Sequence, residues 1–77
     1  MFTVTRFCVQ PFHRRGRVLV RGEARQFFGP EDALDEGRRA SRRADAVGVY
    51  RIDGEPATDT WSEPQTLATY GSVPGVG

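Results

Sequence analysis

Apolar and polar positions alternate from the start of the chain. Over residues 2–12, Phe2, Val4, Cys8 and Phe12 share one parity, and Thr3, Thr5, Phe7 and Val9 share the other. Bulky or β-branched side chains on both parities predict a central strand covered on each face. The polar run His13-Arg14-Arg15-Gly16 ends in glycine and predicts a hairpin loop. A second strand is predicted over residues 17–28, led by Val18, Leu19 and Val20, with Gly22 bending or bulging it. A third is predicted over residues 46–53, where Val47, Val49, Tyr50 and Ile52 cluster before the turn residues Asp53-Gly54 and Pro56.

Between the second and third strands the period changes. Ala33, Leu34, Gly37, Ala40, Ser41 and Ala44 recur on one helical face. Gly29 stands at the N-cap, Pro30 at the first helical position, and Glu31 and Asp32 near the positive end of the helix dipole. Nearly every residue of the stripe is small, so this helix is expected to lie unusually close to the sheet. Gly37 costs about 1 kcal/mol against alanine in a helix interior, which close packing would offset. Towards the C-terminus, Ser62 and Gln65 have capping-box spacing, and Gly71 follows Tyr70 as a left-handed cap. They predict a short helix over residues 63–70, with Trp61, Leu67 and Tyr70 packed inward.

The expected fold class is α+β. A three-stranded antiparallel-type sheet (β-β-α-β, order 2-1-3) carries one packed helix, and a short C-terminal helix covers part of the other face. Residues 1–74 are expected to form a single small domain, and residues 75–77 a frayed tail. Were the short helix to leave its face bare, Phe7, Val9 and Tyr50 would be exposed, and a dimer would be the remedy.

Length sharpens this picture. A chain of 77 residues buries only about 60% of the surface exposed when unfolded, and small domains often add disulfides, metals or self-association. Cys8 is the single cysteine, which excludes an internal disulfide and suits a reducing cytoplasm. Cys8 and His13 lack the partners that a zinc site needs, so no cofactor or metal is expected. No run approaches the roughly 20 apolar residues of a membrane span, and no signal-peptide core stands at the N-terminus.

The net charge of +1 conceals an asymmetry: residues 1–43 hold ten arginines against five acids, whereas residues 44–77 hold Arg51 against five acids. All eleven basic residues are arginine, a bias that genome composition alone can produce. Arg14, Arg15 and Arg17 surround the predicted hairpin tip, and Arg38, Arg39, Arg42 and Arg43 crowd the end of the predicted helix. Arginine suits phosphate because its planar fork donates two hydrogen bonds. The helix cluster is equally what dipole stabilisation and an Asp35–Arg39 pair would select.

The segments FFGPEDAL, AVGVYRIDG and W-S-E-P…G-S-V-P resemble those of short uncharacterised bacterial proteins. The resemblance covers most of the chain but rests on packing and capping residues, and it implies no activity, cofactor or functional residue.

No nucleophile–base pair, phosphate loop or paired-carboxylate motif is present in the sequence, so an enzyme is not expected and no small-molecule substrate is evident. His13, the sole histidine, is the only acid–base candidate, and Cys8 reads as a buried structural thiol. The expected function is a non-enzymatic binding or regulatory module of the cytoplasm, working through a protein partner or self-association. The alternative is RNA or DNA binding through Arg14, Arg15 and Arg17 with Arg38, Arg42 and Arg43.

Overall fold

The alternating N-terminal segment forms the longest strand of a computed structural model that describes residues 3–74: β1 spans Val4–Arg15. Phe2 and the expected frayed tail at residues 75–77 lie outside the described residues. β1 runs straight through the expected loop. Arg15 pairs with Val18 at the start of β2 (Val18–Arg21), so that only Gly16 and Arg17 turn the chain. Gly16 has φ +62°, a left-handed first turn position that matches a type II′ hairpin and favours glycine.

The second strand breaks at Gly22, and the cause lies in β1. Beyond the break β3 (Arg25–Phe27) pairs with Phe7–Val9. Residues 22–24 oppose only Gln10 and Pro11, which makes a bulge. The Pro11 carbonyl accepts the Gly22 N–H at 2.9 Å, but Pro11 has no N–H to return. The Gln10 side-chain amide takes that place and donates to the Gly22 carbonyl at 2.9 Å.

Helix α1 (Pro30–Ala40) follows, with Gly29 as N-cap and Pro30 leading, as the sequence predicts. It buries Ala33, Glu36, Gly37 and Ala40 against the sheet. The approach is close: a Cβ on Gly37 would come within 2.5 Å of Val49 Cγ2. α1 ends sooner than the small-residue stripe. The Ser41 hydroxyl donates to the Arg38 carbonyl at 2.6 Å, and residues 41–43 form a turn that carries Arg42 and Arg43 beyond the helix.

β4 (Ala46–Glu55) lies antiparallel to β1, from Phe12 opposite Ala46 to Val4 opposite Gly54. A single 3-10 turn (Pro56–Thr58) leads to β5 (Thr60–Trp61) and β6 (Gln65–Tyr70), both paired with β4. The result is a six-stranded antiparallel sheet forming a half-barrel with one helix. The three-stranded sheet, its 2-1-3 order and the C-terminal helix are therefore corrected. An isolated helix of so few residues is marginal, whereas Thr66, Thr69 and Tyr70 suit a strand and the edge of β4 needs a partner. Ser62 serves that edge: its N–H donates to the Asp53 carbonyl at 2.7 Å and its hydroxyl accepts the Asp53 N–H at 3.0 Å. Gly71 does have positive φ (+74°), but it ends a strand.

The core sits between α1 and one sheet face, where Phe7, Val9, Val47 and Val49 meet Ala33 and Ala40, flanked by Ala68 and Tyr70. Phe7 and Val9, expected to lie bare if the second helix failed, are thus covered by α1. On the opposite face Phe12, Ala46 and Val73 form a second, smaller buried apolar cluster, with Leu19 and Tyr50 packed beside them. Trp61 and Leu67, expected to point inward, are 39% and 38% exposed. No helix among the described residues is long and apolar enough to cross a membrane.

Candidate functional site

The register decides what the sheet face opposite the helix carries, a face covered in part where Val73 packs on Phe12 and Ala46 beside Tyr50. β1 directs Arg6, Cys8, Gln10, Phe12 and Arg14 to it, and across from them stand Leu19, Arg21 and Gln26. On the other side of β1, β4 contributes Gly48, Tyr50, Ile52 and Gly54, paired in turn with Thr69, Thr66 and Trp61. These strand positions include three arginines and no carboxylate. The strand acids Asp53 and Glu55 have the other parity and fall on the helix side. A charge imbalance that the sequence presents as two halves becomes an imbalance between two faces.

Aromatic side chains line the same surface. The Tyr50 ring lies back along its own strand and occupies the space in which a Gly48 Cβ would stand. Trp61 covers Gly54 in the same manner, and its indole N–H donates to Asp59 at 2.9 Å. Both rings therefore lie down over glycines of β4 instead of standing upright. Phe28, 81% exposed, has the Arg6 guanidinium 4.9 Å from its ring centroid. Burial pushes the Tyr50 phenol up, and the positive charge of nearby Arg21 pulls it partly back. Burial also raises the half-buried Cys8 thiol, which disfavours the reactive thiolate.

Two shallow grooves follow this surface. One, of about 450 Å³, is lined by Arg6, Gln26, Ile52, Pro56 and Trp61. The other, of about 300 Å³, runs past Cys8, Gln10, Tyr50 and Arg21 to Pro64 and Pro74.

Beyond residue 12, β1 and β2 pair only with each other, so the hairpin projects as an arm, and the molecule as a whole measures 45 × 23 × 21 Å. Arg14 lies on the open-face side of the arm, Arg15 on the other side, and Arg17 in the turn; all are exposed. None of these guanidinium groups, nor those of Arg6 and Arg21, has an ion-pair partner among the described residues. Asp45 approaches Arg14 but bonds its backbone N–H, at 2.7 Å.

The helix arginines are placed differently. Arg38 lies 4.0 Å from Asp35, where Arg39 was the expected partner. Arg39 pairs with Glu36 at 3.4 Å, and Arg43 and Arg25 reach the same carboxylate at 3.4 and 3.3 Å. Arg42 is exposed in the turn after the helix. The six arginines singled out in the sequence are therefore divided: Arg14, Arg15 and Arg17 stand on the arm, whereas Arg38, Arg42 and Arg43 belong to the helix end.

What the sequence does not show is that the residues of this surface lie together. Arg6, Arg21, Tyr50 and Trp61 are far apart in the chain and meet only through the strand register. The buried Glu36 left a signal, because it interrupts the small stripe between Ala33 and Ala40 with arginines three and seven residues on.

His13 sits on the opposite side of the arm, in β1 and not in a loop, with its ring over Gly22. It shares a cleft of about 150 Å³ with Glu23, Arg25, Glu36 and Arg43, a lining that includes no serine, threonine or cysteine. Comparison with protein-family models, characterised proteins and solved structures finds no match for this chain.

Proposed function

We propose that this chain is a nucleic-acid-binding module that grips phosphates with the open sheet face and the hairpin arm. The observation that carries this reading is the convergence of Arg6, Arg14, Arg17 and Arg21, all without ion-pair partners among the described residues, on strand positions and a turn free of carboxylates. Arginines tied to an internal acid have less to offer a phosphate, so Arg38, Arg39 and Arg43 take a structural part in this reading. A projecting two-stranded arm also has the dimensions to enter a groove or follow a backbone.

The test is fluorescence anisotropy with labelled mixed-sequence oligonucleotides, single-stranded and duplex, over a range of salt. Affinity should fall steeply as salt rises, because each neutralised phosphate releases counterions. Replacing Arg14, Arg17 and Arg21 together by glutamine should weaken binding at least tenfold and flatten the log–log salt slope by about 2–3. Absence of binding to either form at low salt overturns the proposal.

A second reading, contact with a protein partner or a second copy, draws on a separate observation. Val18 and Val20 are 62% and 45% exposed and lie together on the helix side of the arm. A Val18→Asp, Val20→Asp variant that loses a complex seen with the parent chain would support it.

A further inference from the structure

Two aromatic rings that cover strand glycines on a basic sheet face suit unpaired bases better than they suit a duplex. Tyr50 lies over Gly48, and Trp61 lies over Gly54 on the same strand. Tyr50 and Gly54 are four residues apart in β4, which places the two rings about 13 Å or more from each other at roughly 3.3 Å per residue. Ring faces of this kind are met by unpaired bases, which stack on them whatever their sequence. In a duplex the base faces are already stacked on their neighbours, and only phosphates and groove edges reach such a surface.

The charges are placed to follow the backbone between these rings. Arg6 lines the groove that holds Trp61, and Arg21 lines the groove that holds Tyr50. Phe28 beside Arg6 extends the apolar ground at the edge of the face. Gln26, Thr66 and Thr69 add neutral groups able to hydrogen-bond without repelling phosphate. Asp59, the carboxylate at this end, accepts the Trp61 indole N–H and so orients the ring.

We infer that the nucleic acid held on this face is single-stranded, with bases laid on Tyr50 and Trp61 and phosphates held by Arg6 and Arg21. This rests on the nucleic-acid reading above and narrows its ligand. It accounts for glycine at positions 48 and 54, where any side chain would lift the rings from the sheet. It also leaves the hairpin arginines free to hold the strand where it leaves the face.

The full chain offers a direct readout, because Trp61 is its only tryptophan. Titration with oligothymidylate and oligouridylate should quench the Trp61 emission saturably, and a duplex of equal length should bind at least tenfold more weakly. Trp61→Leu and Tyr50→Leu should each lower single-strand affinity roughly five- to a hundredfold. Trp61→Phe should restore most of what Trp61→Leu loses, since a flat ring is what the base needs. Should the leucine variants fail to fold, the quenching and the strand preference of the parent chain still decide the matter. Duplex bound as tightly as single strand, with no quenching, overturns this inference while leaving the broader reading intact. Binding of neither form at low salt removes both, and so does a face closed by a dimer that excludes oligonucleotide.

Discussion

Asp53 is held in place by two groups whose effects on its protonation have the same sign. The Thr5 hydroxyl, opposite it on β1, donates to its carboxylate at 2.5 Å, and the Arg51 guanidinium donates at 3.3 Å. Together, Thr5 first, they keep the carboxyl below its ordinary value despite some loss of hydration. A group whose pKa is lower folded than unfolded lends stability above the unfolded value, and that stability disappears as pH falls through the folded one. Thr5→Val should therefore raise the pH at which Asp53 titrates by NMR and let acid unfolding begin at higher pH. An unmoved titration would show that the hydroxyl does not act on the carboxylate. At this scale sequence reading did well where one residue type implies one environment. The small side chains of α1 are an example, whereas Cys8, expected to be buried, is half-buried and lines a groove of the sheet face opposite the helix. The same reading passed over Glu36, whose place on the buried stripe rests on Arg25 from β3 as well as on the local Arg39 and Arg43.

Among the elements, α1 owes its place to what its buried face lacks. A methyl group at Gly37 would press on Val49 Cγ2 and stand 3.5 Å from the Tyr70 ring. Gly37→Ala gains about 1 kcal/mol in helix propensity, but an overpacked core costs about 1–3 kcal/mol. The variant should be the less stable in urea unfolding, even though alanine is the better helix former. Greater stability would mean that the helix can step back freely. The C-terminal segment teaches the opposite lesson. Ser62, Gln65 and Gly71 carry helix-boundary chemistry, yet Ser62 bonds Asp53 and residues 65–70 form β6. Local signals of capping are worth about 1 kcal/mol, less than pairing an otherwise open sheet edge with a whole strand.

Across the molecule, Glu36 ties the helix to the strand before it and to the turn after it. Arg25 comes from β3, Arg39 from α1 and Arg43 from the turn that follows, all onto one carboxylate with a side chain 7% exposed. The arginines are themselves 61–65% exposed, so water screens them and the cluster is worth less than a fully buried one. Glu36→Gln should cost about 1–2 kcal/mol in chemical denaturation, and the loss should shrink as salt is added. A salt-independent loss would assign Glu36 a packing role instead.

From its sequence alone this protein declares a small α+β fold, a hairpin that turns at Gly16 and a close-lying helix with acids at its start. Each follows from local physics: side-chain parity, φ preferences and the helix dipole act over a few residues. Six strands in place of three, a C-terminal strand in place of a helix, and arginines and aromatics sharing one open face were decided by tertiary structure. Pairing joins residues tens of positions apart, and a single bulge changes which side chains face water. No window of sequence contains that register.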